Sequence, residues 1–283
     1  MHKQILHIPT SQTSQDVEHF GAKVSFLAKA YSLDILIFGD SQSHVFAALC
    51  QGLSQHINTI THSPDEPLFI QQFASKALGF SICICLSEDQ ITLTSTVDLP
   101  QKSNVTTTAP QNISIETIDL WKLYQKELLD HFSSSCATRF SIKSTNEYIL
   151  QAYNQMGAQN SDSIVELCFT DFELTKVFIK NQLVAPQDIF LMVCADLAQW
   201  SRGQIFFPNA SENIIKELTK LGLTLSHANT DTVLLEANLP YKYSFFDRWY
   251  GFNDPLYAGG RIIKSINRYL NQNTLKNHNV NRC

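Results

Sequence analysis

Apolar residues recur along this chain in two periods, and the switches between them mark its elements. Val17, Phe20, Val24, Leu27 and Ala28 fall on one face of a helix over 17–31, because side chains three and four residues apart line up on a helix. Asp34-Ile35-Leu36-Ile37-Phe38 follows as an apolar run, too short for a helix and suited to a buried strand. Gly39-Asp40-Ser41 turns the chain into a helix over 44–56, since glycine punctuates such switches. A helix over 67–78 leads to a strand at 81–86, and 91–97 returns as a strand. The polar stretch 100–112, with Thr106-Thr107-Thr108, is a loop or linker. An amphipathic helix over 115–132 presents Ile118, Leu120, Trp121, Tyr124, Leu128 and Leu129 as its packing face.

The β-then-α pattern then restarts twice. A second unit has a strand at 139–142, a helix over 147–156, strands at 164–169 and 177–179, and a helix over 186–200. A third has the strand Ile205-Phe206-Phe207, a helix over 210–221 and a last helix over 254–270, with the Asn-rich tail after Tyr269 expected to fray. The pattern predicts an α/β protein of mixed sheets with crossover helices. The domains expected are 1–135, 136–203 and 204–283.

Composition narrows the class. A chain of 283 residues suits one large or two to three small domains, and 44% hydrophobic with 17% charged residues describes a folded, soluble protein. The formal charge of -5 gives no general attraction to nucleic acid or anionic lipid; of 21 cationic residues only six are Arg. No apolar run reaches the roughly 18 residues of a membrane helix, and Met1-His2-Lys3-Gln4 does not open a signal peptide. The seven Cys are odd in number and form no CxxC pair, and Cys83, Cys85 and Cys168 sit in apolar runs. Buried thiols in a reducing cytoplasm are the expectation. The nine His show no metal-ligand spacing, and Gly259-Gly260 is not a nucleotide loop.

The most specific motif is Phe245-Phe246-Asp247-Arg248-Trp249-Tyr250-Gly251-Phe252-Asn253-Asp254, running into Leu256-Tyr257-Ala258-Gly259-Gly260-Arg261-Ile262-Ile263. It is an aromatic turn before a core helix. It also resembles the Arg-Trp-Phe-Gly-Phe-Asp-Asp segment of the phosphohexomutases, the phosphomannomutases and phosphoglucomutases. Other stretches follow that family's order. Ile35 and its neighbours up to Ser41 resemble the first strand and turn, with Asp40 at the Asp position and Gly39 where an Arg would stand. Ser87 lies at the phosphoserine position, followed by Glu88, Asp89 and Gln90 in place of His, Asn and Pro. The resemblance implies a phosphohexomutase-like fold of three-layer α/β units with the fourth domain absent and a shortened second domain, Gly157 leading almost directly to Ser163.

The same resemblance assigns candidate site residues. Ser87 and Lys176 would be catalytic, the serine relaying a phosphoryl group that needs cationic stabilisation. In Asp171-Phe172-Glu173-Leu174-Thr175-Lys176, Asp171 and Glu173 would be magnesium oxygens, while Phe172 and Leu174 replace the glycines of the family's metal loop. Read from the residues alone, this is a solvated turn between strands. Ala237-Asn238-Leu239-Pro240-Tyr241-Lys242 stands where the family has its sugar-recognition loop, so Asn238, Lys242 and Arg248 would contact substrate. Pro9-Thr10-Ser11-Gln12-Thr13-Ser14 lacks the glycine and arginine of the family's opening motif.

These departures imply a degenerate phosphohexomutase-like protein, catalytically impaired, with a binding or assembly role and a residual phosphosugar site. No cofactor is expected on that reading. The alternative is an active phosphomannomutase/phosphoglucomutase-type enzyme transferring a phosphoryl group through Ser87 with magnesium. A third reading is a purely structural interaction protein. The partners expected are a hexose phosphate and a second copy of the chain or another protein, with no nucleic acid and no membrane. The Trp249 to Phe252 edge and the last helix are the candidate interface, the other reading being that these aromatics are buried within their own unit.

Overall fold

The structure is a computed structural model and describes residues 4–9, 13–64, 66–87, 90–97, 108–132, 139–159, 162–208, 210–226 and 232–280. Thr10, Ser11, Gln12, Glu88, Asp89, Thr106 and Thr107 lie outside the described residues. The chain divides into two compact units, Met1–Tyr124 and Gln125–Cys283.

The first unit contains β1 (Gln4–Pro9), α1 (Ser14–Tyr31), β2 (Ile35–Phe38), α2 (His44–Leu53), β3 (Thr59–Ser63), α3 (Leu68–Ala77), β4 (Ile82–Leu86), β5 (Gln90–Ser95), β6 (Ser114–Thr117) and the start of α4 (Leu120–Phe132). Its six strands form one sheet in the order β1-β5-β4-β2-β3-β6. β2 runs parallel to both β3 and β4, and β5 is antiparallel to β4 and β1. All four residues of β2 are buried, as expected for a parallel strand covered on both faces. Ile35, Ile37, Ile82 and Ile84 join α1 and α2 in one core. Leu36, Phe38 and Cys83, one residue out of phase, point to the other face. Phe69 and Phe73 of α3 meet Tyr124 of α4 edge-on in a second aromatic layer.

Helices α1 and α2 touch through backbone. A Cβ placed on Gly21 would lie 2.6 Å from the Leu49 carbonyl oxygen, and one on Gly52 would collide with the Glu18 carbonyl. Thr13 begins α1 with a capping box shared with Asp16.

The second unit holds two mixed four-stranded sheets. The strands β7 (Phe140–Lys143), β8 (Val165–Thr170), β9 (Glu173–Ile179) and β10 (Gln182–Leu183) form one, in the order β10-β9-β8-β7, with α5 (Glu147–Gln155). The strands β11 (Gln204–Phe206), β12 (Thr224–Ser226), β13 (Val233–Asn238) and β14 (Lys242–Phe245) form the other, in the order β12-β11-β13-β14, with α6 (Pro186–Ala198), α7 (Glu212–Lys220) and α8 (Pro255–Val280). Gly259 and Gly260 belong to α8; Cβ atoms there would meet Tyr153 and Phe132.

The mixed α/β class read from the sequence holds, and several boundaries change. Ile115 to Thr117 is strand β6, paired in parallel with β3, and not the first turn of a helix over 115–132. Its side chains are exposed, so Ile115 belongs to no helical packing face. The strand expected at 177–179 starts at Glu173, because that arm of the hairpin pairs along β8. The last helix continues to Val280 and does not end at 270.

Candidate functional site

In the first unit, the carboxyl ends of β2 and β4 lie side by side, with Phe38 opposite Cys85. Gly39, at φ 129, lets the chain pass Leu86, whose carbonyl oxygen would be 2.9 Å from any Cβ there. Asp40 Oδ1 accepts from the Gln42 N–H at 2.8 Å, fixing the turn into α2. Ser87 follows Leu86 and is exposed. Its hydroxyl donates to the Gln90 carbonyl at 2.8 Å and accepts from the Gln90 N–H at 3.3 Å. Ser87 and Asp40 therefore stand at the carboxyl edge of neighbouring parallel strands, where α/β sheets commonly bind ligands. The Ser87 hydroxyl is engaged in closing its own turn.

In the second unit, the β8–β9 hairpin and the β13–β14 hairpin bring four of the predicted residues together. Asp171 sits in the β8–β9 turn with φ 51 and is exposed. Glu173 opens β9, and its Oε1 lies 3.1 Å from Lys242 Nζ. Lys242 pairs across its hairpin with Asn238. Buried Tyr241 anchors that hairpin through a hydrogen bond with the Val177 backbone, and burial pushes its phenol above the ordinary range. Thr175 points its hydroxyl at the Cys168 carbonyl, 3.0 Å away. Lys176 is exposed on β9 opposite Cys168, whose thiol is raised by burial and then by Glu166. Among the described residues no three His, Cys, Asp or Glu side chains gather into a metal-binding group.

Arg248 is elsewhere. β14 begins at Lys242 and ends at Phe245, about 10 Å on at some 3.3 Å per residue, and Arg248 lies three residues further. The structure therefore sets Arg248 at the opposite end of β14 from Lys242 and Asn238.

The motif around Arg248 builds the start of α8. Asp254 is buried, and its Oδ1 accepts from the N–H groups of Leu256 and Tyr257 at 3.0 and 2.9 Å. Its Oδ2 accepts from the Trp249 indole at 3.0 Å. Trp249 stacks on Tyr257, centroids 4.2 Å apart, and Tyr250 donates to Glu127 at 2.8 Å. Trp249 and Phe252 are buried within their own unit, the alternative that the sequence left open beside an exposed interface.

Beneath it lies an ionic cluster that the sequence reading did not single out. Arg261 is buried beside two carboxylates: Asp247, within 3.2 Å, and Asp196, at 3.8 Å. Arg268 also pairs with Asp196. His131 packs edge-on to Trp249 and Tyr257. Burial holds it below the ordinary imidazole range, with Glu127 opposing and Arg261 and Lys264 reinforcing. The available signal was the spacing of Arg261, Lys264 and Arg268 on one helix face.

No protein-family model matches this sequence, and no curated protein sequence matches it. A solved structure described as a phosphoglucomutase/phosphomannomutase family protein from Burkholderia thailandensis matches the fold with a TM-score of 0.65. The match is 15% identical and covers 94% of this chain and 76% of that one. At that identity the likeness shows a phosphohexomutase-like fold.

Proposed function

We propose that this chain is a catalytically impaired phosphohexomutase-like protein that works by binding or assembly and retains a phosphosugar contact at the turn of Asn238 and Lys242. The observation that carries this reading is the short donor set of the candidate metal loop, where Lys242 pairs with Glu173. An ammonium stands beside one of only two candidate metal carboxylates; the pair is exposed and weak, so magnesium is disfavoured chiefly by the short donor set. Thr175, the third residue of that loop, turns its hydroxyl to a backbone carbonyl. Among the described residues no third His, Cys, Asp or Glu joins Asp171 and Glu173, so these residues do not fit a magnesium ion. The Ser87 turn supports the same reading, because a phosphoryl group on Oγ would remove the donor that holds the Gln90 carbonyl.

On the assembly side, a closed homodimer is the simplest arrangement. Among the described residues no helix is long and apolar enough to cross a membrane.

The deciding experiment is a coupled mutase assay with glucose 1-phosphate and mannose 1-phosphate, supplied with magnesium and a bisphosphate activator. The expected result is no turnover above background. Robust turnover abolished by Ser87→Ala would overturn the proposal and establish the active enzyme. Light scattering across a concentration series checks the assembly half, with a species near twice 32.0 kDa expected.

A further inference from the structure

We propose that the cavity between α8, the end of α6 and the loop before α8 is a binding site for one tetrahedral oxyanion, gripped by Arg248, Lys264 and Arg268. This site stands at the far end of β14 from Lys242 and does not depend on the phosphosugar reading.

Charge is the first argument. The cavity is lined by Arg248, Arg261, Lys264 and Arg268 against Asp196 and Asp247, four cations to two carboxylates, an excess of two positive charges. Both carboxylates are already engaged, Asp247 by Arg261 and Asp196 by Arg261 and Arg268. Among the described residues neither Lys264 nor Arg248 has a carboxylate partner. The Lys264 ammonium is held below its ordinary range, by burial first and then by repulsion from Arg268 and Arg261. An anion seated among these groups would relieve that repulsion.

Size and preorganisation are the second. The cavity measures about 40 Å³, room for about three to four waters at roughly 10–15 Å³ each, a scale nearer to the oxygens of one phosphate than to a sugar ring. The Trp200 indole, 58% exposed, has the guanidinium carbons of Arg268 and Arg248 at 5.0 and 5.7 Å from its ring centre. Cation–π contacts of this kind hold both planar forks beside the opening, and such forks match an oxyanion two hydrogen bonds at a time. Arg261 and its aspartates, all nearly inaccessible, form a fixed floor. The ligand is thus inorganic phosphate or the terminal phosphate of a monoester whose organic part stays outside.

Calorimetry on the full chain at low ionic strength, with inorganic phosphate as titrant, tests the site. Binding with a Kd of about 1 mM or tighter is expected. The double variant R248Q/K264M, which breaks no ion pair, should weaken it at least about tenfold, the loss of one or more charge-assisted contacts, with no fall in melting temperature, since it also relieves the repulsion among these cations. Lys242→Ala should leave phosphate binding intact. Titration of the Lys242→Ala variant with glucose 1-phosphate, which leaves out the hairpin contact, separates the two sources: equal affinity assigns the site to the free ion, and tighter binding assigns it to an ester. Absence of phosphate binding by the folded protein, or binding lost in Lys242→Ala and kept in R248Q/K264M, overturns the proposal.

Discussion

Replacing Asp254 by alanine removes one carboxylate that caps two backbone N–H groups of α8 and holds the Trp249 indole. A cap is worth about 1 kcal/mol and a buried side-chain hydrogen bond about the same or more, so a loss of about 2–3 kcal/mol is expected in urea denaturation. Trp249→Phe, which keeps the cap, should cost less. His131 gives the residue scale a pH signature. Its folded-state pKa is depressed, so as pH falls from the ordinary imidazole value the unfolded chain takes up the proton first and stability drops, levelling only below the folded pKa. Denaturation midpoints should therefore decline on acidification from neutrality into that window. His131→Gln should flatten this part of the profile.

Among elements, the contact of α1 with α2 is the one most sensitive to a single methyl group. Gly52→Ala drives a Cβ into the Glu18 carbonyl, which is backbone and cannot swing away. Overpacking of this kind costs about 1–3 kcal/mol. Hydrogen exchange should show faster opening across α1 and α2. The same scale explains which elements the sequence conceals. β2 and β4 are legible because they are buried, nearly continuous apolar runs. β3, Thr59-Ile60-Thr61-His62-Ser63, carries one aliphatic side chain and is a strand because it pairs with β2. β6 has four exposed residues, and its Ile115 mimics a helical repeat with the residues that follow. Pairing between distant segments, which local periodicity does not encode, decides both.

For the molecule as a whole, a formal charge of -5 argues against anion binding only on average. Three of the six Arg, at 248, 261 and 268, are gathered around one cavity. Salt screens exposed charges over about 8–10 Å at physiological strength, so phosphate affinity should fall between low and physiological salt, as calorimetry at two sodium chloride concentrations would show. That cluster was illegible because its charges come from α6, α8 and a loop, with only the α8 spacing visible in sequence. The meeting of Glu173 with Lys242 was illegible for the same reason: two hairpins far apart in the chain create it. The aromatic run before α8 was the clearest feature of the sequence, and Asp254 shows what keeps it recognisable. Its aromatic and acidic positions are held by the work of starting and seating a helix, a demand that persists whether or not any sugar is turned over. Proteins gathered by that run alone would therefore be sorted by how one helix begins, and a working catalyst and a spent one would pass the same sieve.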